Sequence, residues 1–153
     1  MNYKLIFSIE IFAFLLLSFM AVAVEGPSGG IFGRNLSYGI SGDIWLSLSI
    51  VLFILIPIVV RGFKSKLIGT LLVGAFVGLI LEDFFWFIIN PNFGLNKFSP
   101  EFATWLTWYD FGYFKIPTFY LLYAVIAFIV WLVFIKNSRK IDKWYRLAYH
   151  TNR

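Results

Sequence analysis

Leu81-Glu82-Asp83-Phe84-Phe85-Trp86-Phe87-Ile88-Ile89-Asn90-Pro91 sets two adjacent carboxyls inside the longest apolar run of the sequence. A charged side chain at a bilayer centre costs about 2.5–3.5 kcal/mol on insertion scales, so a span that keeps one usually has a use for it. Here there are two, too close to ionise together in an oily layer without a partner. Lys97, Lys115 and Arg34 are the candidate cations. Three kinds of chemistry suit such a pair. It can hold helices together by hydrogen bonds to indole, hydroxyl or ammonium groups. It can trade a proton or cation for cargo. It can also serve as general acid and base on a lipid-like substrate.

Spacing says how the pair is presented. Thr70, Gly74, Gly78, Glu82, Trp86 and Asn90 follow one another at i+4, so they share one broad helix face. Gly74 and Gly78 form a G-x-x-x-G pattern, which lets a second helix approach closely and predicts that this face turns inward. Glu82 then points into the protein, about 10 Å below Ile89, while Asp83 is turned by about 100° toward a different neighbour. The sequence predicts an outward-opening pocket with Glu82 and Asp83 as floor, Trp86 and Asn90 as wall, and Trp105–Tyr109 as rim. Asp110 is expected to join it. Cysteine is absent and the one histidine, His150, lies near the end of the chain. No metal-ligand cluster, phosphate loop or nucleophilic triad is present, so neither metal nor cofactor is expected.

The elements that must position these residues follow from composition. Hydrophobic residues make up 60% and charged residues 14% of the 153-residue chain, against about 25% charged in soluble domains. The apolar residues fall into runs at 5–24, 44–60, 67–89 and 116–135, which as helices would measure roughly 26 to 34 Å against a hydrocarbon core of about 30 Å. None alternates as a barrel strand would. The expected fold is all-α, a four-helix transmembrane bundle over 1–135 followed by a basic tail over 136–153.

Lys4, Arg61, Lys64, Lys66 and the tail put most basic residues on one side, leaving Arg34, Lys97 and Lys115 on the other. The positive-inside rule then places both termini in the cytoplasm and the protein, multi-pass, in the plasma membrane. Lys4, the first run and Ala21-Val22-Ala23 also match the plan of a cleaved secretory signal. Glu10 inside that run, and the run's length, favour a retained span.

Two segments lie outside the runs. Asn90-Pro91-Asn92-Phe93-Gly94 stops the third helix. Ser99-Pro100-Glu101 then reads as an N-cap followed by proline at the first helical position, predicting an interfacial helix that carries Trp105, Trp108 and Tyr109. In the tail, Ile141, Trp144, Tyr145 and Ala148 share one helical face among Arg139, Lys140, Lys143 and Arg146. An amphipathic helix on anionic inner-leaflet lipid is expected, at about 1 kcal/mol per basic residue near the surface. Nucleic acid is not an expected partner; a homodimer or a larger membrane complex is.

Glu82-Asp83-x-x-Trp86-Phe87-x-x-Asn90-Pro91-x-Phe93-Gly94 resembles a segment of small uncharacterised prokaryotic multi-span membrane proteins. The resemblance covers the third span and the following loop, implies that the acid pair and the Asn-Pro turn act as one unit, and brings no activity with it. In architecture alone, four short spans with a first-span glutamate, here Glu10, are similar to small multidrug resistance transporters. Those lack the long aromatic loop and the acid pair. The expected function is small-solute, ion or proton handling through the pocket. An assembly subunit of a membrane complex and a lipid-modifying enzyme stand beside it as alternatives.

Overall fold

The structure is a computed structural model that describes residues 2–25, 42–91 and 93–150. Helix α1 spans Tyr3–Glu25, α2 Gly42–Arg61 and α3 Ser65–Ile89. A two-stranded hairpin, β1 (Trp108–Asp110) and β2 (Lys115–Pro117), leads directly into α4 (Thr118–Val130). A π-helical stretch, Trp131–Lys136, prolongs α4, and α5 covers Ser138–His150. Tyr3–Val22, Ser65–Ile89 and Thr118–Lys136 are long and apolar enough to cross a membrane, and in α2 the stretch Leu48–Arg61 is apolar but shorter.

Helix α3 is the hub, with α1, α2 and α4 packed around it. Its contacts with α1 run in step. Glu10 lies over Gly74, Phe14 lies over Gly78, and the Ser18 hydroxyl donates to the Glu82 backbone carbonyl at 2.9 Å. The two helices are therefore parallel, joined along matching i+4 rows. A Cβ at either glycine would collide with its partner, so the absence of a side chain is what allows this approach. Helix α4 runs the other way: Tyr120 meets Asp83, Tyr123 meets Phe76, and Phe134 meets Gly69. Helix α2 is also antiparallel to α1, with Phe53 edge-on to Phe14.

The inner ends are tied by the tail. Gly62, at φ +74°, ends α2 by donating its N–H to the Ile58 carbonyl at 2.8 Å. Helix α3 begins three residues later without a side-chain cap of its own. Asp142 supplies one from α5, accepting the Ser65 N–H at 3.1 Å, and the Ser65 hydroxyl donates to the Ser138 carbonyl. A carboxylate at this position satisfies one of the first-turn amides and suits the positive end of the helix dipole. Phe63 stacks on Tyr145 at 4.8 Å. In the π stretch, the Asn137 side chain donates to the Leu132 carbonyl at 2.8 Å.

The expected interfacial helix is replaced by turns and the hairpin. One helical turn does form, with Ala103 N–H on the Ser99 carbonyl. The Trp108 indole N–H then donates to the Ala103 carbonyl, the acceptor that the next helical turn would need. Downstream, Asp110 pairs with Lys115 across the strands, residues 111–114 connect them, and Gly112 takes the positive φ of +85° at the bend, which glycine adopts at no steric cost. Asp110 locks that loop by accepting the Gly112 N–H.

Candidate functional site

The row Thr70, Gly74, Gly78, Glu82, Trp86 is buried, and Asn90 closes it. Glu82 is 2% exposed. Asp83, one step around the helix, accepts the Tyr120 hydroxyl at 2.6 Å. The Glu82 backbone carbonyl is bound from α1, and the Asp83 carboxyl from α4.

Above the pair, the expected outward pocket is occupied by rings. Phe87 is fully buried, with Trp105 stacked parallel to it at 6.4 Å and Phe98 edge-on at 5.0 Å. Phe93 packs on Trp86 at 5.0 Å. Ala21 and Val22 of α1 and Ala103, Leu106 and Trp108 of the loop complete the cluster. Nothing in a row of single aromatic residues announces such a plug, because interfacial belts have the same composition. Trp86 is a member of the plug, and its indole N–H is buried without a hydrogen-bond partner. Asn90 works through its backbone: its N–H donates to the Trp86 carbonyl, and its own carbonyl accepts from Phe93 and Gly94, ending α3.

Asp110 does not join the group. It lies in the hairpin, exposed, 3.8 Å from the Lys115 ammonium. Hairpin geometry fixes both side chains beside the turn, so neither reaches Asp83. Lys97 lies over the Phe93 ring at 5.7 Å. Arg34 lies outside the described residues.

The other end of the molecule holds what the sequence reading passed over. Between α1, α2 and the start of α3 is a cavity of about 530 Å³, lined by apolar side chains from Ile6, Phe53, Pro57 and Leu67 among others, with Asn2 and Arg61 at its inner end. Glu10 is part of its wall. The Glu10 carboxyl folds onto Gly74, 5% exposed, and neither of its oxygens has a hydrogen-bond partner among the described residues. The signal for this meeting was present as two rows of equal period, Glu10-Phe14-Ser18 and Gly74-Gly78-Glu82.

Pro57 lies inside α2 beside the cavity, where it removes one helical N–H donor. In the tail, Arg139, Lys140 and Lys143 are exposed and Trp144 is 69% exposed, while Tyr145 and Asp142 face the α2–α3 loop. The Arg146 side chain lies outside the described residues. No cluster of three or more His, Cys, Asp or Glu side chains occurs among the described residues.

Compared with known proteins, the chain matches no family model, no curated protein and no solved structure. Function has to be argued from the geometry.

Proposed function

We propose that this chain is a multi-pass protein of the cytoplasmic membrane, with four spans and both termini inside. On this reading it handles a proton, an ion or a small solute at in-span carboxyls, and Glu10 is the working group. The outer faces of α1, α2 and α4 carry large exposed apolar residues, among them Phe12, Leu55, Val59 and Phe128, which lipid would cover. Alternate helix directions together with Lys4, Arg61, Lys64, Lys66 and the tail at one end support the orientation.

The observation that carries the reading is the solitary Glu10 carboxyl. Asp83 already has the Tyr120 hydroxyl. Glu10 lies against Gly74 with no hydrogen-bond partner among the described residues, and a cavity lies beside it. An intramembrane acid without a protein partner must be matched by something brought to it, which is how such groups serve along proton and ion paths. Pro57 on the opposite wall supplies a place where α2 can bend to widen the cavity.

The test is flux. The full chain, reconstituted in vesicles containing a pH-sensitive dye, is expected to dissipate an imposed proton gradient, and Glu10→Gln to slow this at least about tenfold, the size of effect usual for removing a general acid–base group. Asp83→Asn, folded, keeps its rate. Equal rates for wild type and Glu10→Gln would remove Glu10 from the function.

A second reading has an observation of its own. Ser18 to Glu82, Tyr120 to Asp83 and Asp142 to Ser65 each tie α3 to a different neighbour by a polar contact. Polar contacts of this kind act as glue between spans, as an assembly subunit of a membrane complex would require. Vesicles with no flux in the wild type, together with co-purification of a defined membrane partner, would favour it.

A further inference from the structure

The cavity beside Glu10 has a shape and a charge pattern that point past the carboxyl itself. It runs along α1 from Asn2 to Ala13 and along α2 from Arg61 back to Leu52, roughly 14 to 16 Å at the helical rise. That is about half of a hydrocarbon core of about 30 Å, the depth of one leaflet. A volume of about 530 Å³ over that length leaves a narrow slot and not a chamber. Its long edges, Leu5, Ile9, Leu52, Ile56 and Val60, are all more than two-fifths exposed, so the slot opens sideways between α1 and α2. Its inner end carries the Arg61 guanidinium and the Asn2 amide. Basic residues adjoin it, with Lys66 over the Tyr3 ring at 4.9 Å and Lys4 and Lys64 beside it in sequence, and the acidic neighbour from α5 is Asp142, already engaged by the Ser65 N–H.

We infer that this slot is a lipid site: it takes one acyl chain of an anionic phospholipid of the inner leaflet, whose phosphate is held by Arg61. The inference rests on the membrane reading above but not on flux at Glu10. A guanidinium meets phosphate through charge-assisted, often paired hydrogen bonds, and a leaflet-deep apolar slot opening to the side admits a chain without extracting it from the bilayer. The site is separate from the tail, where a smaller cavity of about 340 Å³ is lined by Arg139, Asp142, Lys143 and Leu147.

Native mass spectrometry of the full chain in detergent, incubated with phosphatidylglycerol or with phosphatidylcholine, tests the site. One phosphatidylglycerol per chain should be retained, and Arg61→Gln should lower that retention about tenfold, the loss of a charge-assisted hydrogen bond, while Arg61→Lys recovers most of it. Ala13→Phe, or Leu52→Phe from the opposite wall should Ala13→Phe not fold, blocks the closed end and should lower retention of both lipids. Lys140→Gln combined with Lys143→Gln should leave retention unchanged. Equal retention of the two lipids by wild type, or an unaltered result in folded Arg61→Gln or in the folded wall variant, overturns the site. Glu10→Gln is expected to retain the lipid, so a failed lipid site and a failed flux site give different results.

Discussion

The outer and inner halves of this molecule solve the burial of polar groups in opposite ways. At the outer end, Asp83 has a hydroxyl partner, Asn90 ends a helix through its backbone, and Phe87, Phe93, Phe98 and Trp105 fill the space between helices and loop. At the inner end, Glu10 has no partner and a cavity lies beside it. The end around Phe87 is filled with rings, although the Trp86 indole N–H is buried there without a partner among the described residues, whereas the end around Glu10 keeps a cavity. The residues most conspicuous in the sequence, the adjacent acids, belong to the filled end. Position in an apolar run therefore identifies an expensive group, and only its partners tell whether that expense serves cohesion or exchange.

Substitutions can break this contrast. The largest effect is expected from Phe87→Ala, which hollows the centre of the aromatic plug and should cost about 3–5 kcal/mol in denaturant unfolding from micelles. A loss below about 1 kcal/mol would mean that the outer half is not a packed core. Tyr120→Phe removes one hydroxyl and leaves Asp83 without its donor, for about 1–3 kcal/mol by the same measurement. Glu10→Gln should cost nothing comparable, since no hydrogen bond is broken, and this difference between two in-span acids is the sharpest form of the comparison. The smallest effect belongs to Asp110→Asn, where an exposed pair contributes about 0–1 kcal/mol. Raising salt should shrink that difference further.

Much of the helical framework was legible from the residues alone. The first three apolar runs lie within helices at 3–25, 42–61 and 65–89, and the fourth, but for Ile116 and Pro117 in β2, within the helical stretch 118–136. The i+4 row with its glycine pair gave the inward face of α3 from geometry, because only small residues allow the close approach that Phe14 makes over Gly78. The loop after α3 was not legible. Ser99-Pro100 starts a helical turn there, but the competing acceptor use by Trp108 and the glycine turn at Gly112 depend on contacts between distant positions. For the same reason the meeting of Glu10 with Gly74 was not legible. Glu10 looks unremarkable until α1 and α3 are laid in register, and the partner of Asp83 is a tyrosine 37 positions further on.

The carboxylate of Asp142 on the first amide of α3 bears on how the protein comes to be made. Ser65 leaves the ribosome 77 positions before Asp142 does, so α3 emerges with its N-terminal tip incomplete. That tip is finished only once the tail has emerged. A fastening step thus follows the synthesis of α3, in which a segment translated later secures the helix around which the others pack.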